Sequence, residues 1–273
     1  MIVQSDFAAR PSLIMPALAQ EAITIAASVA GLIVLIIVVR RWRTTGESYP
    51  FFLLVGAMAC TFYEPFVVTL AHFHYPEIGQ RTSHVLLGVA IPLFHPIIAM
   101  SYMGGVVLWI FFHLDDAKLT VGKWWAFFTV TTLFALAFEP PLIHIGLWKY
   151  YGDNQSLSLL GMPVIWSIAN AAALMWVGLF AYLAWDRMLQ RTNSWSLVLL
   201  VPMGLIAFHM AISAPVYIAL NSTLSVAINN LAAAVSALFA TGAAYLGARA
   251  LSLATEKETL GKPTKPLGEA SQE

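Results

Sequence analysis

The stretch GAMACTFYEPFVVTLAHF, residues 56–73, is apolar enough to lie in a membrane, yet it contains Glu64 directly before a proline. A second stretch, TVTTLFALAFEPPLIHIGLW at residues 129–148, repeats this arrangement with Glu139 before Pro140. An ionisable side chain at the centre of a membrane helix costs several kcal/mol, roughly 2.5–3.5 for Asp on insertion scales, and usually faces an internal cavity. The two glutamates are therefore the predicted site.

The composition is that of an integral membrane protein. Of the 273 residues, 59% are hydrophobic and only 10% are charged, which is too apolar for an ordinary soluble domain. The net charge is zero and no basic cluster lies on a helix face, so no nucleic-acid partner is expected. Cys60 is the single cysteine, which excludes an internal disulfide.

Apolar runs of about the ~20 residues that cross a bilayer recur along the chain. They predict an all-α membrane protein with about seven transmembrane helices, near residues 20–40, 51–72, 85–112, 124–147, 159–185, 196–220 and 224–251. Residues 1–252 are expected to form a single transmembrane helical domain. Residues 253–273 are polar and rich in proline and glycine, which predicts a disordered tail.

Lysine and arginine residues concentrate in alternate connections between these segments. One side of the predicted membrane carries Arg40, Arg41, Arg43, Lys118, Lys123, Arg187, Arg191 and Arg249, whereas the other carries Arg10, Arg81 and Lys149. Because cytoplasmic loops are enriched in positive charge, we expect the N-terminus outside and the C-terminus in the cytosol. Both glutamates then lie in the outward half of the membrane.

The second and fourth segments share more than a Glu-Pro pair. Each is followed by an aromatic outer loop, and the next segments begin alike, at Leu86-Leu87-Gly88 and Leu159-Leu160-Gly161. This pattern predicts pseudo-repeated helix hairpins, 2–3 and 4–5, with a fainter copy in 6–7 at Ser213-Ala214-Pro215. Internal repeats with a site at their interface are common in membrane proteins.

The prolines predict kinks beside both acids. Pro65 should free the carbonyl of Thr61, and Pro140 with Pro141 should free those of two residues in the preceding turn. A widened, partly polar pocket is expected there. The side chains predicted to line it and to bind substrate are Phe62, Tyr63, Phe66, His95, Tyr102, Phe138, Trp166, Asn170, His209, Tyr217 and Asn229.

Each of these assignments has a structural alternative. A protonated Glu64 or Glu139, hydrogen-bonded to a freed carbonyl, would simply hold kinked helices together. His95 and His209 are common types of interhelical hydrogen-bonding residue. Most of the aromatic residues are of the kind that contact lipid or anchor helices at the membrane interface.

Missing motifs narrow the chemistry. Asp115-Asp116 is followed by Ala-Lys-Leu, so no aspartate-rich motif is present to hold Mg²⁺ and a prenyl diphosphate. The seventh segment contains no lysine, which excludes a retinal Schiff base. The spacing of His72, His74 and His84 fits no zinc signature. We therefore expect neither a metal nor a cofactor.

Buried carboxyl groups among aromatic rings suit acid-initiated carbocation chemistry. A carboxylic acid can protonate an alkene or an epoxide, and ring faces attract the resulting cation by about 2 kcal/mol when both are desolvated. Exclusion of water prevents premature capture of the cation. The membrane would deliver the substrate, a lipophilic isoprenoid or prenylated small molecule.

With about seven helices, a glutamate in the second helix and no diphosphate motif, the chain resembles the small integral-membrane terpene cyclases. These are the fungal meroterpenoid cyclases and the bacterial drimentine-type indole-sesquiterpene cyclases. The resemblance implies metal-independent protonation of a prenylated aromatic substrate, with Glu64 as the proton donor, and a bacterial plasma membrane as the location. The fungal pattern has its second acid on a late helix, where this chain has Asn229 and Asn230. Glu139 would take that place, holding or reprotonating Glu64.

FEPPLIHIGLWKYYG and GMPVIWSIAN, residues 138–152 and 161–170, also resemble bacterial carotenoid-modifying hydratases and spirocyclase-like membrane proteins. An isoprenoid hydratase is therefore one alternative. Another is a proton-coupled carrier or binder of a small lipophilic molecule, since intramembrane glutamates beside kinks are typical of carriers. A membrane scaffold for a soluble enzyme is a third. The sequence leaves the substrate and the oligomeric state open.

Overall fold

The computed structural model describes residues 11–260. Within them, seven helical segments are long and apolar enough to cross a membrane, which confirms the predicted class and number of spans. The segments are Ala17–Thr45, Tyr49–Leu70, Phe94–Asp115, Val121–His144, Val164–Met188, Ser194–Leu220 and Val226–Leu253.

Several spans consist of more than one helix. The α-helices are α1 (Ala17–Thr45), α2 (Tyr49–Ala59), α3 (Glu64–Leu70), α4 (Phe94–Ile98), α5 (Gly104–Asp115), α6 (Val121–His144), α7 (Val164–Leu183), α8 (Leu197–Leu220) and α9 (Val226–Leu260). Short strands lie in the connections at one end of the bundle: β1 (Phe73–His74), β2 (Thr82–Leu86), β3 (Val89–Pro92), β4 (Lys149–Tyr150), β5 (Ser158–Leu159) and β6 (Met162–Pro163).

The third and fifth spans begin later than the sequence predicted, because β-hairpins occupy the expected helix starts. Strand β2 pairs antiparallel with β3, and β5 pairs antiparallel with β6. The turn residues Leu87 and Gly88 have φ values of 52° and 71°, and Leu160 and Gly161 have 49° and 86°. Positive φ at both central residues is typical of two-residue type I′ hairpin turns. The repeated Leu-Leu-Gly motif therefore marks hairpin tips.

The two aromatic loops predicted to follow the glutamates pair with each other. Strands β1 and β4 are antiparallel, with Phe73 opposite Tyr150. The Phe73 ring lies 4.8 Å from that of Tyr75, and the ring of Trp148 lies 6.3 Å from Tyr75, centroid to centroid. These side chains form a compact aromatic cap at one end of the bundle.

Helix α7 is the centre of the bundle and packs against α5, α6, α8 and α9. Its small residues permit this close packing: a Cβ at Gly178 would lie 2.8 Å from the Cβ of Ile110 in α5. Helices α1 and α6 are peripheral. Helix α1 packs mainly on α4 and the segment that follows it, whereas α6 packs on α7 and α9.

The prolines act differently at the two glutamates. Before Glu64 the helix is interrupted: α2 ends at Ala59, a 3₁₀ turn covers Cys60–Phe62, and α3 begins with Pro65 in its first turn, where the missing N–H is tolerated. Pro140 and Pro141 stay inside the continuous helix α6. The helix is therefore interrupted beside Glu64 and continuous through Glu139. A π-helical segment at Ala99–Met103 was not predicted.

An ionic cluster ties the opposite end of the bundle together. Arg41 Nη2 lies 2.6 Å from Asp115 Oδ2 and 2.7 Å from Asp116 Oδ1. The hydroxyl of Tyr49 donates to Asp115 at 2.8 Å, and Arg191 Nη1 lies 3.1 Å from the other oxygen of Asp115. The cluster joins α1, α2, the end of α5 and the connection after α7.

The last helix extends to Leu260. Helical backbone therefore continues past residue 252, the boundary predicted between the membrane domain and a disordered tail. Residues 261–273 of that predicted tail, and Arg10 in the orientation argument, lie outside the described residues.

Candidate functional site

A cavity of about 570 Å³ lies between α1, α3, α4–α5 and α6, and both Glu64 and Glu139 line it. Its wall on α6 is a single stripe at helical spacing, formed by Phe127, Val130, Thr131, Phe134, Ala135, Phe138 and Glu139. At 1.5 Å rise per residue, the twelve positions from Phe127 to Glu139 correspond to about 18 Å. The cavity is thus long, with the carboxyl groups at one end.

The carboxyl end lies under the aromatic cap, since Phe73, Tyr75, Trp148 and Tyr150 also line the cavity. The side between α1 and α6 is open. Ala26 and Ala30 of α1 line the cavity yet are exposed. Val130 and Phe134 of α6 likewise line it while 61% and 49% exposed. In a membrane this opening faces lipid.

Glu64 is buried within a chain of hydrogen bonds. The Tyr75 hydroxyl donates to Glu64 Oε1 at 2.8 Å, and His95 Nε2 lies 3.2 Å from Glu64 Oε2. The other ring nitrogen of His95 lies 2.9 Å from the Thr61 hydroxyl oxygen. An ionised Glu64 accepts from Tyr75 and from His95, while Thr61 donates to the remaining nitrogen. Glu64 and His95 are thus arranged to share a proton.

The Tyr75 hydroxyl keeps its proton and so remains a hydrogen-bond donor to Glu64. Burial raises the pKa of its hydroxyl well above 10.0, and the charge of Glu64 raises it further. The hydroxyl therefore stays neutral and keeps its proton for the carboxylate. Tyr150, in the neighbouring strand, has its pKa raised by burial and by both glutamates.

Glu139 has different surroundings. It is half-buried, and among the described residues its carboxyl group makes no hydrogen bond or ion pair. It lies within electrostatic range of Glu64 and of Tyr102. Three aromatic rings line the same cavity. Phe134 and Phe138 stack at 5.2 Å and 13°, and Tyr102 stacks on Phe134 at 5.9 Å.

His209 is the centre of a second polar cluster that reaches the cavity. Its Nε2 lies 3.0 Å from Asn170 Oδ1, an acceptor, so this nitrogen donates. Its Nδ1 then accepts from Tyr63, at 3.2 Å, and lies 3.4 Å from the Tyr217 hydroxyl. The Trp166 ring stacks on that of His209 with centroids 6.3 Å apart.

The structure brings most of the predicted residues together. Beside the two glutamates, the cavity is lined by Tyr63, His95, Tyr102, Phe138, Asn170 and His209. Trp166 and Tyr217 contact His209 from behind and are not in the cavity wall.

Three predicted residues lie elsewhere. Phe62 is 59% exposed because the 3₁₀ turn directs it outward, where its ring packs on His84. Phe66 is 45% exposed, since two residues along a helix from Glu64 is the opposite face. Asn229 is buried at the start of α9, where its Nδ2 donates to the carbonyl of Asn154 at 2.6 Å and secures the connection between β4 and β5.

Several residues of the cavity wall were not predicted from the sequence. Tyr75, Trp148 and Tyr150 lie in the aromatic loops, which the repeat marked without indicating that they fold over the glutamates. Phe134 lies four positions before the predicted Phe138, and this helical spacing along α6 was the available signal for it.

Among the residues described, no group of three or more His, Cys, Asp or Glu side chains is placed to hold a metal ion. Comparisons of the chain with family models, curated proteins and solved structures found no match. The arrangement of the site itself is therefore the basis for assigning a function.

Proposed function

We propose that this protein is a membrane-bound terpene cyclase that acts without a metal on a membrane-soluble isoprenoid or prenylated molecule. The observation that carries the proposal is the contrast between two carboxyl groups at one end of a long apolar cavity. Glu139 makes no polar contact among the described residues, whereas Glu64 is held by Tyr75 and His95. Carboxyl groups in such different environments suit opposite roles in acid–base catalysis.

Glu139 is the proposed acid. A carboxyl group without an ionic partner in an apolar wall favours the neutral, protonated form, and its proton is free to transfer to a substrate. Protonation of an alkene carbon forms a C–H bond and leaves a carbocation and the Glu139 carboxylate. With an epoxide, protonation of the oxygen opens a C–O bond instead. This assignment reverses the ranking expected from the sequence resemblance, in which Glu64 is the donor.

The rings beside Glu139 are suited to the cation. Tyr102, Phe134 and Phe138 line the same cavity as Glu139 and give it an aromatic surface. Cation–π attraction is worth about 2 kcal/mol or more at a desolvated site. The aromatic cap covers this end of the cavity and keeps water from the cation.

The pair Glu64–His95 is the proposed base. After ring closure, loss of a proton from a carbon next to the cation forms the final double bond, and the pair accepts that proton. The overall reaction is an isomerisation, so no co-reactant is consumed. The proton must return to Glu139 before the next turnover, and Glu64 and Glu139 are within electrostatic range of each other.

We further propose that the ionic cluster around Arg41 faces the cytosol and that the aromatic cap faces outward. The excess of Lys and Arg at the cluster end supports this orientation. The opening between α1 and α6 then admits substrate directly from the bilayer. A molecule with an apolar chain would place its reactive end under the cap.

The two glutamates are proposed to derive from pseudo-repeated halves. Each half has a Glu-Pro pair, a paired strand and a β-hairpin ahead of the next helix. His95 follows Pro92 by three residues, and the residue three after Pro163 is Trp166. The first acid thus has a histidine partner that the second lacks, which supports the division of roles.

The test uses purified protein in lipid nanodiscs, incubated in D₂O with a panel of prenylated aromatics and their terminal epoxides. Cyclisation of an alkene should place one solvent deuterium on carbon in the product, read by mass spectrometry. Glu139→Gln should abolish product, because an amide cannot protonate carbon. Glu64→Gln should slow turnover or alter the final double bond. Glu77→Gln is the matched control, an exposed glutamate in the connection after β1.

Other outcomes would contradict the proposal. A product heavier by one water would indicate a hydratase. Proton-linked uptake into proteoliposomes containing the protein, without any new product, would indicate a carrier. Full activity in both glutamate variants would leave Glu64 and Glu139 with a structural role only.

A further inference from the structure

Two aromatic rings line the cavity at the end opposite the glutamates. Trp109 of α5 and Phe127 of α6 stack with centroids 3.9 Å apart and planes at 6°, and both line the cavity. His113 stacks on Trp109 at 4.0 Å, and its Nδ1 lies 2.9 Å from the Trp109 carbonyl oxygen. The Trp109–Phe127 pair therefore bridges the gap between α5 and α6 and is supported by a third ring.

The separation of this pair from Glu139 limits the length of a bound chain. The twelve residue-to-residue steps from Phe127 to Glu139 rise about 18 Å. With C–C bonds of about 1.5 Å at tetrahedral angles, an extended chain advances roughly 1.3 Å per carbon, so about 14 main-chain carbons fit. Each isoprene unit supplies four of these carbons, which gives about three or four units.

We propose that the Trp109–Phe127 pair selects substrates by chain length and admits chains of about three or four isoprene units. This inference rests on the proposed function for the chemical class of the ligand, but the limit itself is a property of the cavity. A chain that is too long meets the stacked rings, and over-packing a filled apolar space is unfavourable. The competing outcome is that a longer chain leaves through the opening between α1 and α6.

Thr131, one helical turn from the Trp109–Phe127 pair towards Glu139, offers an independent test. Thr131 is buried and lines the cavity four positions after Phe127. Those four residues rise about 6 Å, close to the length of one isoprene unit. Thr131→Phe should therefore shorten the cavity from this end and shorten the preferred substrate by about one isoprene unit.

The experiment measures binding in the Glu139→Gln background, so that turnover does not interfere. Nanodiscs containing the protein are loaded with equal amounts of geraniol, farnesol and geranylfarnesol, and native mass spectrometry gives two ratios, bound geranylfarnesol to farnesol and bound farnesol to geraniol. Partition into lipid is the same for every variant, so it cancels from the comparison. Phe128→Ala is the matched control, because Phe128 packs on Trp125 and does not line the cavity.

In the parent protein farnesol should dominate. Trp109→Ala should raise the ratio of geranylfarnesol to farnesol by about ten-fold or more, the size expected when over-packing is relieved. Thr131→Phe should lower farnesol binding relative to geraniol, and Phe128→Ala should leave both ratios unchanged. If both alcohols bind but no variant changes the ratios, the length limit is wrong even if cyclisation is observed. Failure of every alcohol to bind the parent protein would also overturn the length limit. Length-selective binding in a protein that shows no turnover would refute the proposed cyclase activity and leave the length limit standing.

Discussion

Replacing Asp115 by asparagine should destabilise the protein far more than the same change at Asp116. The Asp115 side chain is 8% exposed, and its carboxylate oxygens lie 2.6 to 3.1 Å from polar atoms of Arg41, Tyr49 and Arg191. Removing one partner of a buried ion pair costs about 3–5 kcal/mol, because the other charge stays buried and unpaired. Arg41 is 18% exposed, so the lower figure, about 3 kcal/mol, is expected.

Asp116 is the matched control. It is 27% exposed and contacts Arg41 at 2.7 Å and the exposed Lys118 at 3.0 Å. A pair this accessible to solvent contributes about 1 kcal/mol at most. For a chain of this size 1 kcal/mol corresponds to roughly 2–4 °C in Tm. Thermal denaturation in detergent should therefore show a fall of about 6–12 °C for Asp115→Asn and about 2–4 °C for Asp116→Asn. Equal shifts would refute the argument that burial decides the cost.

Four further predictions use other features of the structure. Tyr75→Phe removes the 2.8 Å hydrogen bond to buried Glu64 and should cost about 1–3 kcal/mol, measured as a fall in Tm alongside slower turnover. Gly178→Ala places a Cβ 2.8 Å from Ile110 and should destabilise the protein by about 1–3 kcal/mol. Gly242→Ala is the control and should not destabilise it, because Gly242 has open space around it. Similar losses of Tm in both variants would contradict this packing argument. Leu87→Asn should raise Tm slightly, because asparagine tolerates the positive φ of 52°; a lower Tm would show that the leucine side chain contributes more than the turn costs. The hydrogen bond from Arg41 lowers the pKa of Asp116 below 3.8 in the folded protein. The ionised Asp116 therefore contributes its full stabilisation above about pH 4, and this contribution is lost as the pH falls through the lowered pKa of the folded state. In a plot of Tm against pH, Asp116→Asn should reduce the slope at acidic pH and leave the rest unchanged.

The sequence was sufficient for the spans and for the two acids. Long apolar runs have few alternatives in a chain this hydrophobic, and the cost of a charge in lipid singles out Glu64 and Glu139 without structural knowledge. Hydrophobicity alone gave the wrong starting residues for the third and fifth spans. Leu86-Leu87-Gly88 and Leu159-Leu160-Gly161 are apolar enough to continue a helix, and only the positive φ values reveal hairpins.

The partners of Glu64 illustrate what composition cannot provide. His95 was a candidate because it is polar within an apolar segment, but its distance from Glu64 depends on how α4 packs beside α3. Tyr75 was placed in an outer loop, and only the pairing of β1 with β4 shows that this loop closes over the site. Phe62 and Phe66 were assigned by proximity in sequence, and the local helix geometry turned both away.

Cys60 lies in the cavity wall, one turn before Glu64, and is 2% exposed. Because it is the only cysteine in the chain, the native protein has a single thiol, located next to the proposed chemistry. Because the thiol is buried and donates to the Gly56 carbonyl oxygen at 3.5 Å, a small lipophilic thiol reagent should modify it only slowly through the membrane-facing opening, and more slowly still when a molecule fills the cavity. The labelling rate of Cys60 therefore reports occupancy of the unaltered protein, and ligands can be screened without knowing the reaction.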